Sequence, residues 1–397
     1  MPRALYPSSV KPESRGKKER TSVLAPLTSF RFFAALAIVV FHTLTPHAYF
    51  LRSGVSFFYI LSGFILTYVH PNLSGKIPTL RFWANRIARI WPLHLLTLAL
   101  CVFHLVPTFS LGKFPLTALL LNMFLLQAWI PLERVVLSYN SVSWSISVEM
   151  FLYLLFPFLL PLVKKAPGKI VISAIVLTLL LAVSATKLDV PGEPYLGVFD
   201  YSYFAFFSPI LNLYKFVLGM AVAVWWMESP KLPAYLSWTW IEFITFVGVI
   251  VVVPLSEYVA GVLTGWQAKY EMQRQLQDLM CVPFFGLLIY VFAFQKSILA
   301  GIMSRKWLVY LGDISFTVYM IQSPVKALIH LNVDTLSVQW LLYVAALIIC
   351  SGLIHALFEK PARRFFIQCS ELILKSSHLP KLQAQAGLLF NKFKQSF

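Results

Sequence analysis

The stretch RFFAALAIVVFH, Arg31 to His42, sets a guanidinium and an imidazole at the two ends of ten residues with no polar side chain among them. Such a run inside a longer apolar segment reads as a membrane-spanning helix. Similar runs recur from about residue 28 to 358, with interruptions too short for a soluble domain. The composition agrees, since 58% of the 397 residues are hydrophobic, 12% are charged and the mean hydropathy is +0.74. The sequence predicts an all-α polytopic membrane protein.

Eleven apolar runs are candidate spans: 28–47, 54–70, 91–107, 115–131, 144–163, 169–187, 205–227, 239–257, 279–295, 307–328 and 338–358. If all eleven crossed, with the N-terminus inside, Lys164, Lys165 and Lys169 would face outward, against the positive-inside bias. If 91–131 crosses only once, with 115–131 re-entrant or non-crossing, 24 of the 33 basic residues fall on the inner side. The outer loops then carry Asp189, Glu193 and Asp200. A bundle of about ten transmembrane helices with both termini cytoplasmic is therefore expected. Residues 1–26 are expected to be a disordered basic tail with no signal-peptide cleavage site, 27–366 the membrane domain, and 367–397 a basic C-terminal tail. The formal charge of +17 follows this topology and points to a lipid bilayer, not to nucleic acid.

The soluble-enzyme signatures HExxH, Walker A and GxGxxG are absent. A GxSxG elbow fails because Phe58 stands where its second glycine would be. Cys101, Cys281, Cys350 and Cys369 form no CxxC pair, so neither a disulfide nor a metal set is expected.

Arg31 and His42 are eleven positions apart, three helical turns, so they share one face about 16 Å apart along the axis. Either both look into the bundle, or Arg31 snorkels to the headgroups while His42 anchors the far end. Gly54, Ser56, Ser62 and Gly63 of the next run suit close helix packing. Arg81, Arg86 and Arg89 precede Pro92, which is expected to open the third helix. Their spacing suits phosphate oxygens as well as plain inner-side anchoring. Glu149 lies inside an apolar helix led by Trp144 and Ser145. It is expected to orient an imidazole, act as a base, or pair with a buried arginine. Glu359 and Lys360 before Pro361 read as a helix stop.

Arg31 and His42 with their ten-residue gap, then GVSFFYILSGFIL, RFWANRIARIWP, SWSISVEMFLYLLFP, LGDISFTVYMIQSPV and FEKP, in this order, resemble the acyltransferase 3 family of integral membrane O-acyltransferases. The likeness covers about 27–366. It implies a bacterial inner-membrane enzyme that moves an acyl group, most often acetyl, from cytoplasmic acyl-CoA to a hydroxyl of a glycan or other small acceptor. Acetyl-CoA would be a co-substrate, with no permanently bound cofactor and polysaccharide-assembly proteins as partners. By resemblance, His42 and Glu149 are catalytic, with Glu149 holding the imidazole tautomer. Arg31, Arg86 and Arg89 bind acyl-CoA, and Ser56, Trp144 and Ser145 shape or orient the pocket. Two positions depart from the family: Ser56 replaces a common Asp and Gln322 a common His, so no acid-base role is expected there. Many members also carry an extracytoplasmic hydrolase-like domain, whereas this sequence ends in a basic tail, so transfer by the bundle alone or with a partner is expected. A transporter or flippase of an anionic, lipid-linked substrate, using the same intramembrane charges without covalent chemistry, is the competing expectation. A purely structural membrane protein is a third.

Overall fold

The computed structural model describes residues 24–45, 48–105, 116–188, 204, 206–229, 238–264, 270–329 and 336–376. Most of both expected tails and the loop with Asp189, Glu193 and Asp200 lie outside these. All regular structure among the described residues is helical.

Helix α1 (Ala25–Thr43) carries the opening stretch, with Pro26 in its first turn, where a missing N–H is harmless. A 3-10 turn (Tyr49–Ser53) leads into α2 (Gly54–Val69). Helix α3 (Lys76–Leu105) has 30 residues and is about 45 Å long. Pro92 does not open it, contrary to expectation; it lies in the interior. Spanning helices tolerate this because neighbours re-satisfy the freed carbonyl. Arg81, Arg86 and Arg89 are consequently helical, and the last two sit on one side at i, i+3.

The expected non-crossing segment begins with α4 (Leu116–Met123), whose eight residues rise only about 12 Å. At Leu125 the backbone turns through φ 57°. A 3-10 turn (Gln127–Trp129), the short α5 (Glu133–Val136) and another 3-10 turn (Ser141–Ser143) complete the excursion. Irregular backbone survives at membrane depth only when buried in protein. Here Asn122 Nδ2 donates to Ser138 Oγ at 2.7 Å, Gln127 Nε2 to the Ser143 carbonyl at 3.1 Å, and Ser147 Oγ to the Leu125 carbonyl at 2.5 Å.

The remaining helices are α6 (Trp144–Lys165), α7 (Pro167–Leu188), α8 (Leu213–Glu228), α9 (Trp238–Thr264), α10 (Tyr270–Phe292), α11 (Ile298–Met303), α12 (Lys306–Ile329) and α13 (Val338–Ile354). Seven helical stretches among the described residues are long and apolar enough to cross a membrane. The other crossings of the expected ten would be α3, α8 and α12. The expected stop at Glu359 does not occur. A π-helical turn (His355–Glu359) passes directly into α14 (Lys360–Ser376), and Pro361 falls in the first turn of α14. Helix α14 runs through the position where the C-terminal tail was expected to start. It is pinned to α3 by a two-pronged Arg81–Glu371 pair at 2.5 and 2.9 Å.

Glycines set the central contact. A Cβ at Gly63 of α2 would run into the Phe216 carbonyl of α8, and one at Gly219 of α8 into the Ile60 carbonyl of α2. Lys164 Nζ donates to the Pro71 carbonyl and Ser29 Oγ to the Met303 carbonyl, which gathers the start of α1 and the ends of α2, α6 and α11 at one end of the bundle. At the opposite end Trp340 Nε1 donates to Thr43 Oγ1 at 3.0 Å. Arg31 and His42 thus belong to opposite ends.

Candidate functional site

At the Arg31 end, α1, α3, α6 and α14 converge. The Arg31 guanidinium interacts electrostatically with Arg89, Glu149, Tyr153 and Asp313, and that of Arg86 with Tyr153, Arg89, Arg363 and Glu149. Arg86 lies 5.8 Å from the ring centres of both Phe82 and Tyr153. Its Nε and that of Arg363 are buried without a hydrogen-bond partner among the described residues. Four arginines therefore face Glu149, Glu359 and the exposed Asp313, an excess of positive charge suited to an anion. His70 packs edge-on against Phe82 at the rim. Burial, and then the Arg86 charge, push its imidazole down to about 4, so it adds no cation at neutral pH.

The sequence reading found Arg31, Arg86 and Arg89, and the structure brings them together. It missed Arg363, and it read Glu359 as part of a helix stop. Glu359 is turned inward by the π-helical turn, accepting from Thr317 Oγ1 and His355 Nδ1, each at 2.7 Å. A carboxylate at the end of an apolar run was the available signal.

Between the two ends lies a cavity of about 40 Å³, lined by Arg31, Glu149, Tyr59, Ser145 and Tyr319 together with apolar side chains. Glu149 accepts a short hydrogen bond from Tyr153 Oη, which accepts from Ser62 Oγ at 3.0 Å. Ser145 Oγ and Tyr319 Oη are 2.8 Å apart, and Tyr59 Oη donates to the Ser145 carbonyl at 3.1 Å. Ser145 thus lines the cavity. Trp144 packs against Phe206 and Phe207 at 5.2 and 4.7 Å, buried inside the protein and outside the cavity lining.

At the other end His42 is exposed on the bundle. Its Nδ1 lies 2.9 Å from Gln322 Oε1, while Gln322 Nε2 donates to the Tyr319 carbonyl at 2.8 Å. An amide oxygen only accepts, so Nδ1 is the donor and Nε2 of the neutral ring keeps its lone pair. The tautomer was expected to be held by Glu149. The structure corrects this: Glu149 is committed to Tyr153 at the Arg31 level, and Gln322 of α12 holds His42.

Ser56 points elsewhere. It donates to Asp278 Oδ1 at 3.0 Å, and Asp278 pairs with Lys215 Nζ at 2.7 Å in a buried cluster joining α2, α8 and α10. The sequence reading passed over Lys215 and Asp278. Lys215, a lone ionisable residue inside an apolar run, carried a signal; Asp278 lies just before its run, beside Glu271 and Arg274, and carried none.

Residues 27–356 match the acyltransferase 3 family model, described as an acyltransferase domain. Among known proteins, "Acyltransferase MdmB" of Streptomyces mycarofaciens is 31% identical over 227 residues, 51% of this chain and 57% of the relative. "Putative peptidoglycan O-acetyltransferase YrhL" of Bacillus subtilis (strain 168) is 23% identical over 373 residues, 87% of this chain and 56% of the relative. The chain spans a little over half the length of these relatives. No solved structure matches it significantly. With the family model covering most of its length and a helical membrane bundle beneath it, the chain belongs to the acyltransferase 3 family.

Proposed function

We propose that the chain transfers an acyl group, acetyl in the simplest case, from cytoplasmic acyl-CoA held at the Arg31 end to a hydroxyl of a glycan acceptor at the His42 end. The observation that carries this is the Gln322 bond, which leaves His42 Nε2 as a base. Arg31, Arg86, Arg89 and Arg363 would hold the phosphates of CoA. Its thin arm would follow α1 past Glu149, Ser145 and Tyr319. His42 Nε2 then takes the acceptor hydroxyl proton as the oxygen attacks the thioester carbonyl. The new C–O bond forms, the C–S bond breaks, and the thiolate recovers the proton from the imidazolium to leave as free thiol. Grouping of the basic loops with Arg31 supports a cytoplasmic location for that end, with both termini inside a bacterial inner membrane.

The competing reading is a carrier for an anionic substrate with no covalent step, which the buried Lys215–Asp278 pair favours. Release of free thiol from acetyl-CoA by purified protein with candidate acceptors separates the two. Acyl transfer requires thiol and acylated acceptor in equal amounts, and a carrier yields neither.

A further inference from the structure

A second cavity of about 400 Å³ lies between α1, α2, α9 and α10, a size usual for ligand sites, and its wall is almost wholly hydrocarbon. Ala34 and Ala37 line it from α1, and Val253 from α9. Along α9 the wall runs from Phe246 to Pro254, about 12 Å. It sits about a third of a turn around α1 from the face of Arg31 and His42, so it is not part of the donor path. Its shape suits a hydrocarbon chain.

The 3-10 turn that lines one part of this cavity also carries a cation. Leu51 and Ser53 line the cavity, and between them Arg52 stands 5.1 Å from the ring centre of Phe41 and 4.5 Å from that of Phe206. Arg274 lies over the same Phe206 ring at 3.5 Å. The Phe41 ring is 5.2 Å from the His42 imidazole, which also feels the charges of Arg52 and Lys326. Glu257 of α9 accepts from the Phe50 amide at 2.6 Å and feels the Arg274 charge, which also faces Asp278.

We propose that the acyl acceptor is carried on a lipid phosphate. Its hydrocarbon chain fills this cavity, its phosphate meets Arg52, and the hydroxyl-bearing group beyond the phosphate reaches His42. Arginine forks are shaped for phosphate oxygens, and a chain anchored this way presents its head to one place only. The inference rests on reading His42 as the transfer end.

The test uses the full chain in phosphatidylcholine nanodiscs with a diazirine-bearing dodecyl phosphate, the label being located by mass spectrometry. Labelling is expected on the α1 and α9 walls, displaced by unlabelled dodecyl phosphate but not by dodecanol. Arg52→Gln should lower it about fivefold or more, the loss of one charge-assisted hydrogen bond. Ala37→Phe and Val253→Trp, which fill the cavity from opposite walls, should each abolish it with the gel-filtration profile unchanged. Equal displacement by dodecanol, indifference to Arg52→Gln, or no label on the lining overturns the proposal. Labelling needs no acyl transfer, so its failure leaves the reaction reading standing, and that reading fails on thiol release instead.

Discussion

Gln322 accepts from His42 Nδ1 while donating to the Tyr319 carbonyl, and only one orientation of its amide satisfies both bonds. Gln322→Leu should therefore lower kcat for acyl transfer by about a hundredfold, the lower end of general-base assistance, because the imidazole stays while its tautomer is no longer held. KM for acetyl-CoA should be unchanged, because the arginine end is untouched; steady-state kinetics read both. Asp278→Leu strands the Lys215 ammonium in the bundle and should destabilise the fold by about 3–5 kcal/mol. The double change with Lys215→Met should recover most of that loss in an unfolding titration. Arg31, His42 and Glu149 were legible in the sequence because each interrupts an apolar run. Their groupings were not. Gln322 meets His42 across 280 positions and Lys215 meets Asp278 across 63, and no local pattern reports such pairings. The family's carboxylate at position 56 is absent, and Ser56 instead bonds to Asp278 of another helix.

Helix α4 and the turns after it show what an element owes to its length. Eight residues fall far short of a membrane's hydrocarbon thickness, and the buried amides of Asn122 and Gln127 replace the bonds a longer helix would make. The basic-loop count is what raised a non-crossing segment here as an expectation, because charge placement is readable without coordinates. The helix stop at FEKP was misread for a geometric reason. A proline inside a spanning helix is tolerated where the freed carbonyl finds another partner, and a π-helical turn directly before Pro361 lets the helix run on. The small residues of α2 were legible as a packing surface, and Gly63 with Gly219 forms its tightest point. Gly219→Leu drives a side chain into the Ile60 carbonyl. It should destabilise the protein by about 1–3 kcal/mol or more, seen as a lower thermal midpoint in detergent.

Across the whole molecule, α1 connects two ends of different character. One end gathers Arg31, Arg86, Arg89 and Arg363, the other offers His42 with Arg52 and Lys326 nearby, and the two are about 16 Å apart along a single helix. The central claim is that these ends hold donor and acceptor of one acyl transfer, with His42 moving the proton. Its most direct test is free-thiol release from acetyl-CoA by purified, folded His42→Ala protein, alongside wild type, with acceptor present. The account requires wild type to release thiol in step with acylated acceptor, and His42→Ala to be slower by about a hundredfold to ten-thousandfold. Thiol release by His42→Ala at the wild-type rate would contradict it.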